Sequence, residues 1–291
     1  MSENRLDRGF KNVLNQYGVD FLFNRITKKG GLIQRIGSAD AYSTTSGISE
    51  EEFILLRELA KLEKNVKINA SRRRRAKLTT GVQSLDALLE GGVETGKIVQ
   101  VVGEPGSGKT QLLMQLCVTA QLGKQSGGLG SGVLYLDFKG DIDVNRVSAV
   151  LKRFGVDESG LDAVSYACTF ERDPEIFAEA VDSMRNTGKR VLLVDGGYLP
   201  YAFAGGRRAQ FASNAEYTRL LIGLARPVRE LGLAVVMAEP SVGFVPLPPM
   251  LQTRLMLRKG PGSVRLAQCA LPESSSGSEQ QFIITDNGLV D

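Results

Sequence analysis

Two periodicities divide the chain. Over residues 1–64 apolar positions recur at helical spacing, as with Leu6, Phe10, Val13, Leu14 and Tyr17 in "LDRGFKNVLNQY". In "GISEEEFILLRELAKLEK", Ser49 stands as N-cap with Glu52 three residues on, and Ile48 faces Phe53 across the cap. That is a capping box with a hydrophobic staple. The polar loop "SADAYSTTSG" separates these segments, so the pattern predicts a small helical N-terminal domain over residues 1–64. Residues 65–77, "NVKINASRRRRAK", hold few core candidates and read as a basic linker. From Leu78 to Asp291 the pattern changes to short apolar runs alternating with helical segments. "KIVQVVG", "GVLYLDF", "KRVLLVD" and "LAVVMAE" are continuous apolar runs, which buried parallel strands covered by helices on both faces explain. The last three carry Asp137, Asp195 and Glu239 at their ends. Ligands of such sheets bind beyond the carboxyl ends of the strands, so these acids are expected to converge there. "TRLMLR", the turn "KGPG", "SVRLAQC" and "QFIITDNG" predict a closing antiparallel section. The fold class is α/β with a mostly parallel central sheet.

The first of those strands runs into "GEPGSGKTQ". Gly103, Gly108, Lys109 and Thr110 meet the pattern G-x-x-x-x-G-K-[ST], which average residue usage would produce in about one chain in a hundred of this length. It lies after a strand and before a helix, as the motif requires. Glycines let backbone N–H groups turn inward, and the helix N-terminus adds positive partial charge for a phosphate. Gly103, Glu104, Pro105, Gly106, Ser107, Gly108, Lys109, Thr110 and Gln111 are therefore the nucleotide-binding candidates. Lys109 is expected to neutralise the β/γ-phosphates, with Thr110 and Asp195 as ligands of Mg²⁺. ATP and Mg²⁺ are the cofactors this implies.

Composition narrows the chemistry. Among 291 residues there is no histidine, which excludes His-dependent triads and His-ligated zinc. Cys117, Cys168 and Cys269 are too few and too scattered for a disulfide framework, which points to a reducing compartment inside the cell. No run approaches the ~20 apolar residues of a membrane span, and the first thirty residues lack the apolar region of a secretory signal. The net charge of +4 is uneven: residues 1–77 hold 16 Lys/Arg against 9 Asp/Glu, the rest 20 against 23. The basic front suits a polyanion or an acidic partner, or is simply a solvated lobe.

The core entry "LTTGVQSLDALLEGGVETGKIVQVVGEPGSGKTQLLMQLCVTAQL" resembles that of the RecA/RadA-type recombinases, particularly the eukaryotic recombinase and its paralogues. "GGLGSGVLYLDFKG", "RVLLVDGGYLPYAF" and "TRLMLRKGPGSVRLAQCALPESS" follow in matching order, so the resemblance covers residues 78–291. It implies a RecA-like P-loop ATPase core, ATP binding, and assembly with related subunits into a hetero-oligomer. The implied work is on single-stranded DNA or DNA junctions, in homologous recombination within the nucleus.

Two departures bear on turnover. Active members carry Asp-Thr-Glu-Gly before the second acidic strand, and the glutamate positions the attacking water. Here Asp137-Phe138-Lys139-Gly140 stands instead, and a lysine with a reference pKa near ~10.4 cannot act as that carboxylate. Its charge still suits a bound phosphate. The family's Asn-Gln sensor is replaced by Glu239-Pro240, and proline has neither side-chain amide nor N–H. Glu239 is either a substitute base or a metal contact. The first DNA loop corresponds to "FAGGRRAQFASNAE", where Arg207 and Arg208 either meet phosphates or form a solvated turn. Arg72, Arg73, Arg74 and Arg75 are likewise a tether or a nucleic-acid contact. "PSVGFVPLPPMLQ" has no Lys or Arg, so Phe244 and Leu247 suit a partner subunit better than DNA. These features together predict an ATP-binding recombinase paralogue with weak or no hydrolysis. The alternative is an active DNA-stimulated ATPase that catalyses strand exchange.

Overall fold

A two-residue strand, β1 (Lys77–Leu78), pairs antiparallel with β2 (Val93–Glu94), and the short helix α1 (Gln83–Leu88) fills the connection. Asp86 fixes this entry: its carboxylate accepts the Thr80 N–H at 2.7 Å, the Thr80 hydroxyl at 2.8 Å and the Thr79 hydroxyl. This computed structural model describes residues 75–170, 175–196, 217, 220–221, 223–240, 253–269 and 279–291. The elements below form one compact unit spanning Arg74–Tyr198, Leu224–Gly243 and Leu251–Asp291. The helical domain expected over residues 1–64 lies outside the described residues.

The chain then alternates strand and helix: β3 (Lys97–Gly103), α2 (Lys109–Thr119), β4 (Val133–Asp137), α3 (Val144–Arg153), β5 (Val164–Cys168), α4 (Glu175–Thr187) and β6 (Val191–Asp195). A helical stretch over residues 224–231 leads to β7 (Ala234–Pro240). The strands β8 (Arg254–Lys259), β9 (Val264–Cys269), β10 (Gln280–Thr285) and β11 (Gly288–Val290) complete a nine-stranded sheet in the order β11-β10-β9-β8-β3-β7-β6-β4-β5. From β8 to β5 every neighbouring pair is parallel, and from β8 to β11 every pair is antiparallel. The expected mostly parallel sheet is therefore observed.

Burial explains the strand sequences. β4 and β6 are buried at all five positions, as is β7 up to Glu239, which is why they read as unbroken apolar runs. β5 is an edge strand, half-buried to exposed, and its Val-Ser-Tyr-Ala-Cys sequence shows no such run. α2 is buried from Leu112 through Thr119, because it packs on the sheet, against β3, β6, β7 and the edge strand β11, with α3 beside it. Gln115, a buried polar residue on α2, is satisfied there: it donates to Thr80 O at 2.7 Å and accepts the Leu289 N–H at 2.7 Å.

The order of connection places the site. The chain leaves β3 through α2 for β4, which lies beyond β7 and β6, so a crevice opens at the carboxyl ends of the central strands. Register brings Gly103 opposite Pro240, and Asp195 opposite both Ala238 and Asp137.

Candidate functional site

The loop from β3 to α2 is a concave turn of backbone. Gly106 and Gly108 have φ of 79° and 100°, in the left-handed region that side chains with a Cβ rarely adopt. A Cβ at Gly103 would lie 2.4 Å from Leu257 O, so the strand end has no room for one. α2 begins directly after Gly108 with no side chain capping it and no acid in its first turn. The positive end of that helix therefore faces the loop. The Ser107 hydroxyl is buried inside the turn with no hydrogen-bond partner among the described residues. A polyoxygen anion fits this cradle, since it would engage backbone donors and the orphaned hydroxyl together.

Lys109 lies across the loop, its Nζ donating to Gly103 O at 2.6 Å and Glu104 O at 2.9 Å. Burial lowers its pKa, and the neighbouring Lys139 charge lowers it further, against the pull of Asp195 and Glu104. Gln111 accepts from Arg146 Nε at 2.7 Å, which ties α2 to α3.

The acids at the strand ends differ in their surroundings. Asp137 is a turn cap: Oδ1 accepts the N–H groups of Lys139 and Gly140, both at 2.9 Å, and Oδ2 accepts from Ile142 N and Tyr166 Oη. Glu239 is fully buried and accepts from Gln100 Nε2, whose own Oε1 accepts from Arg254 Nε at 2.7 Å. Asp195 is also buried, with the Tyr135 hydroxyl donating to Oδ2 at 3.0 Å.

Lys139 occupies the centre. Its Nζ lies 3.2 Å from Asp195 Oδ1, 3.2 Å from Thr110 Oγ1 and 3.4 Å from Asp141 Oδ2. Burial works against its charge, but Asp195 and Asp141 prevail and its pKa stands above the ordinary lysine value. The Thr110 and Asp195 oxygens are of the kind that Mg²⁺ takes. The Lys139 ammonium, 3.2 Å from each, competes with such an ion for both of them.

Two further cations border the loop. Lys259 at the end of β8 comes so close that a Cβ on Gly106 would meet its Cε at 2.8 Å, and its backbone N–H donates to Glu104 Oε1 at 2.9 Å. Arg265 on β9 donates to Gly106 O at 2.9 Å. Neither stood out in the sequence, because only the parallel pairing of β8 with β3 brings this hairpin to the loop. Of the remaining candidates, Arg75 is exposed and paired with Glu94 at 2.9 Å. Arg72, Arg73, Arg74, Arg207, Arg208, Phe244 and Leu247 lie outside the described residues.

A mostly parallel sheet whose central strand ends in a Gly-x-x-x-x-Gly-Lys-Thr cradle, beside a strand ending in a buried aspartate, defines a P-loop protein with a RecA-like core. The chain belongs to the Rad51 family, whose model it matches over residues 71–246. It is 32% identical over 245 residues to a DNA repair protein RAD51 homolog B of Zea mays, covering 77% of this chain and 72% of that one. It is 31% identical to DNA repair protein RAD51 homolog 1 of Arabidopsis thaliana, with the same coverage. A meiotic recombination protein DMC1 homolog of Arabidopsis thaliana is 32% identical over 235 residues, covering 74% of this chain and 68% of that one.

Proposed function

We propose that this chain is an ATP-binding recombinase paralogue that assists the main recombinase on DNA in homologous recombination and double-strand break repair, with weak or no ATP hydrolysis. The observation that carries this reading is the Lys139 ammonium 3.2 Å from both Thr110 and Asp195, where the chain has lost the glutamate that would orient water. The other acids at the strand ends are committed: Asp137 to backbone amides, Glu239 to Gln100. Neither presents a free carboxylate to a water beside a terminal phosphate.

A cradle that holds ATP without consuming it works as a conformational clamp, because a ligand that binds one state shifts the population toward that state. The state it favours would be an assembly with other recombinase paralogues in the nucleus. Phe244 and Leu247 would face a partner subunit, and Arg207, Arg208 and the Arg72–Arg75 run would meet single-stranded DNA or DNA junctions. Residues 1–64 would form a separate helical domain joined by the basic linker.

An ATPase assay with and without single-stranded DNA tests the reading. Turnover at background in both conditions is expected. Brisk, DNA-stimulated turnover would overturn it in favour of an active strand-exchange enzyme.

A further inference from the structure

Lys139 does more in this site than replace a glutamate. Its ammonium has three oxygen neighbours, Thr110 Oγ1 at 3.2 Å, Asp195 Oδ1 at 3.2 Å and Asp141 Oδ2 at 3.4 Å, and two of these belong to the side chains that the phosphate-loop pattern assigns to a divalent cation. The side chain is built into that place from several directions. Asp137 Oδ1 accepts the Lys139 N–H at 2.9 Å and fixes where the side chain starts. The Phe138 N–H donates to Asp195 O at 2.8 Å, which holds the lysine loop against the aspartate strand. Gly196 leaves space for the aliphatic stem, since a Cβ there would come 2.7 Å from Lys139 Cγ. Asp195 Oδ1 is buried and makes no hydrogen bond among the described residues, so the ammonium is what balances it.

We propose that Lys139 is a tethered cation standing in place of the divalent metal, so that this site binds nucleoside triphosphate without Mg²⁺. A magnesium ion demands oxygens at about 2.0–2.1 Å and near-octahedral geometry. An ammonium 3.2 Å from the same two oxygens obstructs such an ion by volume and repels it by charge. The monovalent cation serves the phosphates as well. With Lys109 on the loop, it gives the β- and γ-phosphate oxygens two fixed positive charges whose seats come with the fold. A single ammonium supplies less of the charge neutralisation that phosphoryl transfer needs than a divalent ion would, and Lys139 cannot orient an attacking water as a carboxylate does, so a triphosphate held this way is held rather than cleaved.

The inference rests on the nucleotide-holding reading above, and one measurement separates the two. Binding of a fluorescent ATP analogue to the full chain is titrated in EDTA and again in excess Mg²⁺. Affinities within about twofold of each other are expected, and a loss of about tenfold or more in EDTA would overturn the metal-free site while leaving nucleotide binding intact. No binding in either medium would overturn both. Lys139→Ala should open the seat, so that binding weakens about tenfold in EDTA and is restored by Mg²⁺. Metal-independent binding by that variant would show that Lys139 is not the cation responsible.

Discussion

Tyr135 and Asp195 show how much of this site is decided by single atoms. The phenol donates to Asp195 Oδ2 at 3.0 Å from a fully buried position on β4. Burial first, and then the Asp195 charge, push the tyrosine pKa far above its ordinary value, so the ring keeps its proton and remains a donor. Oδ2 is thereby occupied, and only Oδ1 faces Lys139. Tyr135→Phe keeps the shape and removes that donor, which leaves a buried carboxylate oxygen unsatisfied. The expected cost is about 1–3 kcal/mol, read as a lower midpoint in denaturant unfolding with unchanged slope. At this scale the sequence told part of the story. Lys139 stood out against the family pattern, and three acids stood out at strand ends. It assigned Asp195 to a cation and left Glu239 between base and metal contact, but it did not show what each carboxylate faces, because one that caps a turn and one that meets an ammonium read as the same letter. The difference comes from what the fold brings near them: backbone amides at Asp137, Gln100 at Glu239, and an ammonium at Asp195.

Among the elements, α1 shows local structure held by a distant part of the chain. No side chain at its own N-cap, Val82, satisfies its first amides. Asp291 does so instead, accepting the Gln83 N–H at 2.8 Å and the Ser84 N–H at 2.7 Å. Burial alone would raise the Asp291 pKa, but these amides outweigh it and hold the carboxyl below its ordinary value. Asp291→Ala should therefore cost about 1 kcal/mol of stability at neutral pH, the usual worth of a helix cap. A group with a depressed pKa in the folded state contributes above its unfolded value of about 3.9 and loses that contribution as pH falls through the folded value. The gap between wild type and variant, measured by urea unfolding, should accordingly close in acid. No local signal marks such a cap, since the two partners are some two hundred positions apart. The same limit explains which strands were legible. β3, β4, β6 and β7 sit inside the sheet and read as apolar runs, whereas β5 at the edge carries Ser165, Tyr166 and an exposed Cys168. The antiparallel pairing of β8 with β9 was legible from the turn "KGPG", and β10 pairs antiparallel with β9 as the closing section predicts. That β8 lies parallel to β3, and so carries Lys259 and Arg265 to the phosphate loop, is a long-range fact of register.

On the scale of the whole RecA-like unit, the cradle is assembled from parts that have little in common along the chain. β3 and α2 supply the loop, β4 supplies the lysine turn, β6 supplies Asp195, and the β8–β9 hairpin supplies Lys259 and Arg265. These parts meet only when the central strands are in register, so an unfolded chain has no equivalent site. ATP should then bind the folded state alone, and its binding free energy should add to the stability of the whole sheet rather than to one loop. With free ATP at about a hundred times its Kd, the added stability is about 2.7 kcal/mol. For a unit of about 200 residues, each kcal/mol raises Tm by about 2–4 °C, which predicts a rise of about 5–11 °C. Differential scanning fluorimetry with and without ATP reads this directly. Lys109→Ala removes the ammonium that bridges Gly103 O and Glu104 O, and its Tm should stay flat as ATP is added. A wild-type Tm that does not move would mean that the cradle holds no nucleotide. A rise that Lys109→Ala retains would place the nucleotide elsewhere on the molecule.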